Sequence, residues 1–195
     1  MPLLRRVWNA GKEAGASIFF THSSMDMTAM AAYLKLGMLP GHQILYFGGK
    51  PERLPSKPIG YEVAKLDKHV AMEIDREIRG TGREPDHDFW LGSDGLQGRQ
   101  VLKNGRIIGY FYQGRGNIGP AAWKRPQEAE VVMTLACREA AEISPEISFM
   151  VPGINLAVLK FAFDSGMRLT NCFHFLTSAP FGRMHQYIPS GPALY

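Results

Sequence analysis

The densest run of side chains that could do chemistry is Glu-Pro-Asp-His-Asp at residues 84–88. Carboxylates such as Glu84 and Asp86 can hold a cationic amine and accept its proton through water. The order Asp86-His87-Asp88 also suggests metal ligands, but no second ligand cluster lies at a recognisable spacing, so we expect no metal. The alternative is a solvated loop that caps helices, and both interpretations stay open.

Other reactive side chains are better explained by packing. Cys137 and Cys172 lie in apolar segments, which predicts reduced core thiols rather than a disulfide. His22 and His174 lie in apolar strands, where core histidines are expected. A methionine-rich stretch favours core filling over a copper site, and its members are Met25, Met27, Met30 and Met38.

The composition excludes several classes of protein. The chain has 195 residues, 45% hydrophobic and 21% charged, which is close to a globular average. Its net charge of +4 admits an anionic partner. The basic residues are scattered, however, and no aromatic-basic motif accompanies them, so we expect no nucleic-acid partner. No apolar run of about 18 residues and no signal-peptide pattern occurs, which predicts a cytoplasmic protein without membrane contact.

The chain repeats itself. Residues 18–38 align with residues 147–167 without a gap, Gly37 with Gly166, at a constant offset of 166 − 37 = 129 positions. Each copy predicts a strand, a turn, a helix, a glycine stop and a second strand. The identical pairs are Ile18/Ile147, Phe20/Phe149, Gly37/Gly166 and Met38/Met167.

A fuller set of elements surrounds the second copy. Alternating apolar residues predict a strand at residues 59–63, and Asp67 can cap the helix that follows. A polar loop at residues 84–88 leads to a hairpin with Asn104-Gly105 at its turn. After two further strands, the second ending at Gly119, Pro126 opens a helix. The predicted order is β-α-α-β-β-β-α-β-α-β, with a last strand near residues 184–188.

Prolines divide the chain. Pro51, Pro55 and Pro58 mark residues 50–58 as a linker. We therefore predict a partial domain over residues 1–49 and a complete one over residues 59–195.

This order and spacing resemble the GCN5-related N-acetyltransferase superfamily in its tandem form. The family's helix carries an asparagine, a tyrosine seven residues later, and then Gly-[Phe/Met]. The second copy has Asn155 but Ala162 at the tyrosine position, and the first copy has Tyr33 but Asp26 at the asparagine position. The resemblance implies an α/β fold: a mixed, mostly antiparallel sheet flanked by helices, with a partial second copy (β-α-β) at the N-terminus.

The resemblance also implies acetyl-CoA as co-substrate. The family holds its pyrophosphate on the backbone N–H groups of a loop [Arg/Gln]-x-x-Gly-x-[Gly/Ala] and on a helix N-terminus. Residues 113–126 match this loop in part, and Pro120 removes one donor, which the charges of Lys124 and Arg125 can offset. The implied cofactor-binding residues are Ile118, Gly119, Ala121, Ala122, Lys124, Arg125 and Asn155. Asn155 is equally explained as a helix cap.

The implied reaction is direct attack of an amine on the thioester carbonyl. In the family the acidic loop borders the acceptor pocket, which makes Glu84 and Asp86 the candidates for the base. Tyr33 occupies the position of the acid that protonates the leaving thiolate. The first copy begins beyond its cofactor loop, so we expect no cofactor site there. Further acid candidates, each equally explained as a core aromatic, are Tyr110, Tyr112 and Tyr187.

The predicted function is therefore that of an N-acetyltransferase that moves an acetyl group from acetyl-CoA to the amine of a small molecule. The alternative is a non-catalytic, degenerate module that binds an acyl-CoA or only supports a partner domain. A truncated sheet leaves an open edge. We therefore expect residues 1–49 to pack on the C-terminal domain or on a second chain, as in a homodimer.

Overall fold

The computed structural model describes residues 2–191. They form two compact units, which are described separately. The N-terminal unit contains residues 2–44 and 172–181, and the C-terminal unit contains residues 45–171 and 182–191. Strands β2 (Leu39–Gly49) and β8 (Arg168–Thr177) contribute residues to both units. None of the helices in the described part is long and apolar enough to cross a membrane.

The N-terminal unit begins with helix α1 (Pro2–Glu13), strand β1 (Phe20–Ser23) and helix α2 (Met27–Leu34). Asp26 starts α2 by accepting a hydrogen bond from the backbone N–H of Thr28 at 2.7 Å, as an N-cap residue does. Strand β1 pairs antiparallel with the end of β8.

The elements of the C-terminal unit follow the order that the sequence predicts, which confirms the fold class. In chain order they are β3 (Tyr61–Lys65), α3 (Lys68–Arg79), α4 (Glu84–Gly92), β4 (Gln97–Lys103), β5 (Arg106–Gly114), β6 (Asn117–Trp123), α5 (Ala129–Ile143), β7 (Ile147–Pro152), α6 (Leu156–Asp164), the start of β8, and β9 (Tyr187–Ile188). Two 3₁₀ turns precede α5 and β9, at Pro126–Glu128 and Met184–Gln186.

The sheet of the C-terminal unit is mixed and mostly antiparallel. Its strands run in the order β7-β6-β5-β4-β3, and β9 pairs with β6. Only β6 and β7 in this series are parallel; the other pairs are antiparallel. Phe111, Trp123 and Phe149 of the sheet join buried residues of α5 and α6 in one core. Burial of these apolar side chains is the main stabilising contribution.

The elements of the two repeat copies agree with the predicted offset. Helix α6 begins at Leu156 and α2 at Met27, a difference of 156 − 27 = 129 residues. Strand β8 begins at Arg168 and β2 at Leu39, again 168 − 39 = 129. In both copies the side chain of the residue before the helix accepts a backbone hydrogen bond, from Thr28 N–H to Asp26 and from Val158 N–H to Asn155.

Two predicted elements are wrong. Residues 84–88 are the first turns of α4 rather than a loop. Pro85 suits a first helical turn, Glu84 and Asp86 favour the positive end of the helix, and Trp90 anchors it in the core. Strand β6 also continues past Gly119. The β5–β6 register is irregular between Phe111 and Gln113, opposite Pro120, so the strand needs no proline N–H there.

Candidate active site

The predicted cofactor residues lie on β6 and the turn that follows it. Ile118, Ala121 and Ala122 are fully buried on the strand. One edge of β6 pairs along most of its length with β5. The other edge pairs with β7 only at Asn117 and Ile118. The two parallel strands therefore separate after Ile118, and we call the space between them the β6–β7 opening.

Residues 186–190 of the same chain occupy this opening, and we call them the closing segment. Strand β9 pairs antiparallel with β6, Ile188 opposite Ala121 and Tyr187 opposite Ala122. The side-chain amide of Gln186 donates hydrogen bonds to the carbonyl oxygens of Trp123 and Lys124, at 2.9 and 2.8 Å. The closing segment thus covers the strand edge that the resemblance implies for acetyl-CoA.

Gly119 marks the closest approach of the closing segment to β6. A Cβ atom added there would collide with the carbonyl oxygen of Pro189 and lie 3.2 Å from Cα of Ser190. Asn117 donates a further hydrogen bond from its side chain to the Ser190 carbonyl at 3.2 Å. With the closing segment in this position, acetyl-CoA does not fit in the β6–β7 opening. The cofactor assignment on β6 stays a prediction that requires the closing segment to move.

The remaining predicted cofactor residues have defined positions. Lys124 is half-buried and Arg125 is exposed in the turn between β6 and α5. The backbone N–H of Arg125 donates to the Glu128 carboxylate at 3.0 Å, which stabilises the first turn of the 3₁₀ segment. Asn155 is buried and caps α6, while its side-chain nitrogen has no hydrogen-bond partner among residues 2–191.

The predicted base residues are engaged in ion pairs on α4. Glu84 and Asp88 both accept hydrogen bonds from Nζ of Lys68, at 3.1 and 2.8 Å. These hydrogen bonds raise the pKa of Lys68, with Asp88 the larger cause. Asp86 accepts from Nε of Arg83 at 2.8 Å. Tyr33, the predicted acid, is half-buried on α2 in the N-terminal unit.

A buried polar network lies beneath α4, and the sequence alone did not single out its central residue, Asp75. One Asp75 oxygen accepts a hydrogen bond from the Tyr110 hydroxyl at 2.6 Å, and the other lies 3.2 Å from Nε2 of His87. Nδ1 of His87 lies 2.9 Å from the Tyr112 hydroxyl. All four side chains are fully buried. The sequence did contain a signal for Asp75: it is a polar residue at helical spacing between Ala71 and Ile78, on the apolar face of α3.

Two arginines contact Tyr187 of the closing segment. Nη1 of Arg83 donates to the Tyr187 hydroxyl at 2.6 Å, and the Arg79 guanidinium lies 4.5 Å from the centroid of the Tyr187 ring. Burial lowers the pKa of Arg83, but the neighbouring Tyr187, Tyr110, Asp75 and Asp86 together raise it above its ordinary value. The guanidinium of Arg83 therefore stays charged and stacks on Trp90, 4.8 Å from the ring centroid.

The buried tyrosines are poor candidates for a catalytic acid. Burial raises the pKa of Tyr110 well above its ordinary value, and the Asp75 carboxylate adds to this shift. Burial also raises the pKa values of Tyr112 and Tyr187, although Arg79 and Arg83 oppose the shift at Tyr187. Because all three side chains are enclosed, they fit the alternative of core aromatics.

No cluster of three or more His, Cys, Asp or Glu side chains in the described part could hold a metal ion. The pair Asp86 and Asp88 faces Arg83 and Lys68 instead. His87 turns inward to Asp75.

The chain matches known proteins by its structure and not by its sequence. No family model and no curated protein matches its sequence. A candidate acetyltransferase from Pyrococcus horikoshii superposes on 100% of this chain with a TM-score of 0.74 and 16% identity. A GCN5-related N-acetyltransferase from Anabaena variabilis covers 90% of the chain with a TM-score of 0.63 and 10% identity. A tandem GNAT protein from the clavulanic acid biosynthesis pathway covers 90% with a TM-score of 0.55 and 13% identity.

These neighbours are longer than the present chain. It spans 65% of the Pyrococcus protein, 49% of the Anabaena protein and 70% of the clavulanic acid pathway protein. At such low identities the likeness concerns the fold. The mixed sheet, the separation of β6 from β7 and the structural neighbours agree, and the chain has the fold of the GCN5-related N-acetyltransferases.

Proposed function

We propose that the C-terminal unit is a closed, non-catalytic module with an acetyltransferase fold, which supports a partner domain in acetyl-transfer chemistry. The observation that carries this proposal is the position of the closing segment against β6. Gln186 occupies the carbonyl groups of Trp123 and Lys124, and Pro189 fills the space in front of Gly119. A ligand would have to displace this chain's own hydrogen bonds before it could reach the strand.

The attachment of the closing segment favours a permanent closure. Tyr187 is fully buried and contacts two charged arginines. Arg183, just before the segment, donates from its backbone N–H to the Ile78 carbonyl at 2.6 Å and from its side chain to Glu77 at 2.9 Å. Opening would leave Arg83 without the hydroxyl it binds, and hydrogen bonds to charged groups each contribute about 1.5–3 kcal/mol.

A second candidate is the transfer of an acetyl group from acetyl-CoA to the amine of a small molecule. It is favoured by the buried side-chain nitrogen of Asn155, which has no hydrogen-bond partner within residues 2–191, and by the cations Lys124 and Arg125 just after β6. Glu84 and Asp86 would hold the cationic amine and accept its proton through water, after releasing Lys68 and Arg83. Tyr33 remains the acid that the resemblance implies. This function requires the closing segment to leave the β6–β7 opening.

Titration calorimetry with acetyl-CoA separates the two candidates. For a closed module we expect no saturable heat from the wild-type chain and no thiol release when acetyl-CoA is mixed with a panel of small amines. The variant Gln186→Ala loosens the closing segment, and Gln97→Ala serves as a matched control on β4. Saturable binding by the wild type that tightens in Gln186→Ala but not in Gln97→Ala would overturn the closed module and favour acetyl transfer.

A further inference from the structure

Two sulfur atoms meet in the N-terminal unit, and they come from residues far apart in the sequence. Sγ of Cys172 on β8 lies 3.4 Å from Sδ of Met25, in the segment between β1 and α2. Both residues belong to the N-terminal unit. Because a bond between a metal ion and sulfur is about 2.3 Å long, two sulfurs at this separation can both bind one ion. The pair is therefore a candidate site for a soft metal.

The methionines near this pair do not fill the core in the way that the sequence predicts. Met25 is 45% exposed and Met27 is 63% exposed, so core filling is wrong for these two, although Met38 is buried. Asp26 caps α2 by accepting the Thr28 N–H at 2.7 Å, which fixes the backbone directly after Met25. Packing in the core does not explain the position of Met25, and its side chain is open to solvent.

A histidine supplies a third donor on the same face of β8. His174 and Cys172 are two positions apart on this strand, and alternate residues of a strand line one face. Ser23 pairs with His174 in the antiparallel register, so the chain that follows Ser23 runs alongside Cys172. This register agrees with the contact between Cys172 and Met25. Nε2 of His174 is enclosed and has no hydrogen-bond partner within residues 2–191. Such a buried polar atom calls for an explanation.

We propose that Cys172, Met25 and His174 bind one Cu(I) ion. Thiolate and thioether are the soft ligands that select Cu(I), and imidazole also suits copper. Zinc is bound by cysteine, histidine and carboxylate side chains, usually four of them, and hard cations require oxygen ligands. A set of three donors that includes a thioether therefore fits Cu(I) better than either class.

Binding is a ligand exchange without electron transfer. The Cys172 thiol releases its proton to the solvent, and the thiolate sulfur forms a bond to copper. The thioether of Met25 and the neutral imidazole of His174 bind through lone pairs and lose no proton. The negative charge of the thiolate balances the charge of Cu(I), so the half-buried site gains no net charge. The site lies in the N-terminal unit and does not depend on the proposed function of the C-terminal unit.

Cu(I), supplied without oxygen as its coloured complex with bathocuproine disulfonate, is the probe for the test. Transfer of copper to the wild-type chain removes the colour, and we expect one ion per chain. Met25→Leu removes the sulfur and should weaken binding at least about tenfold, since even contacts around the ligands of a metal site contribute this much. Cys172→Ser should abolish uptake. X-ray absorption at the copper edge should show sulfur and nitrogen ligands, and the nitrogen should disappear in His174→Leu.

Met27→Leu is the matched control, because it makes the same change at a more exposed methionine two positions away. It should leave copper uptake as in the wild type. Cooperative unfolding of each variant in the absence of copper shows that it is folded.

Several results would overturn the proposal. The first is a wild-type chain that takes up no copper. Uptake that persists in Cys172→Ser would place the ion on Cys137. Equal losses in Met25→Leu and Met27→Leu would indicate unspecific binding to surface methionines, and full affinity in Met25→Leu would reduce the site to a single thiol. A wild-type spectrum without a nitrogen ligand would exclude His174.

Discussion

Arg83 donates a hydrogen bond to the hydroxyl of Tyr187 at 2.6 Å, and this bond joins the start of α4 to the strand that fills the β6–β7 opening. Arg83 has a positive φ of 52°, a strained conformation for a residue with a side chain. Its side chain is only 6% exposed. The contacts of its guanidinium with Asp86, Trp90 and Tyr187 stabilise this backbone conformation.

Removing the Tyr187 hydroxyl tests this connection. In Tyr187→Phe the ring keeps its packing, but a buried guanidinium loses one acceptor. We expect the free energy of unfolding to fall by about 1.5–3 kcal/mol, because the bond involves a charged donor. Urea denaturation measures the change. Tyr61→Phe is the control, since no hydrogen bond of its hydroxyl is found within residues 2–191, and an equal loss there would contradict the role of Arg83.

Asp75 provides a second test, because it accepts from Tyr110 and faces His87 in a region without solvent. Asp75→Ala leaves the Tyr110 hydroxyl and Nε2 of His87 buried without the carboxylate, while Nδ1 of His87 keeps its contact with Tyr112. We expect the unfolding free energy to fall by about 1–3 kcal/mol for each buried polar group that loses its partner. Glu84→Gln, which alters an exposed ion pair, should leave the urea midpoint nearly unchanged. Equal effects would show that the network is not stabilising.

The sequence predicts the order of elements because the signals are local. Asp67 accepts the His69 N–H at 2.9 Å as an N-cap, and Gly80 adopts the left-handed conformation that ends α3. Asn104-Gly105 forms the predicted hairpin turn, with both residues at positive φ. Each of these features depends on neighbouring residues only.

The candidate site could be predicted only in part, because its closure is not local. Gln186 lies more than sixty positions beyond Trp123 in the sequence, and no periodicity joins them. Residues 84–88 look like a loop because Glu, Asp and Pro are common in loops, yet buried His87 and Trp90 fix them as a helix. Tertiary contacts thus override the local preference.

The two thiols should differ in reactivity. Burial raises the pKa of Cys137 far above its ordinary value, so little thiolate forms at pH 8 and the side chain is enclosed. Cys172 is half-buried, and its Sγ lies 3.4 Å from Sδ of Met25. We expect a disulfide-exchange reagent to modify one thiol rapidly in the folded chain. In about 6 M guanidinium, which unfolds the chain, it should modify both thiols rapidly. Cys172→Ser should abolish the fast phase, and a fast phase that persists would contradict the assignment.

Helix α1 offers a test of association between chains. Leu3 and Val7 lie four residues apart on one helical face and are 74% and 63% exposed. We propose that this face binds a second copy of the chain. Sedimentation velocity should show a dimer that Leu3→Glu/Val7→Glu dissociates and that Leu156→Glu, an equally exposed change on α6, does not. A monomeric wild type at all concentrations would contradict the homodimer.

Gly119 is the sharpest point at which to test closure of the β6–β7 opening. Its φ of 135° is rare for residues with side chains, and an added Cβ would collide with the Pro189 carbonyl. Gly119→Ala should therefore lower the unfolding free energy by more than about 1 kcal/mol. It should also speed tryptic cleavage after Arg183, because the closing segment is pushed away from β6.

The control for this experiment is Gly92→Ala, where an added Cβ meets nothing within 4 Å. The same chemical change there should leave cleavage as in the wild type and should not lower stability, because alanine in a helix is about 0.5–1 kcal/mol more favourable than glycine. If Gly119→Ala behaves like Gly92→Ala, the closing segment does not lie against β6 in solution. The closed module would then lose its basis, and the opening would be available to acetyl-CoA.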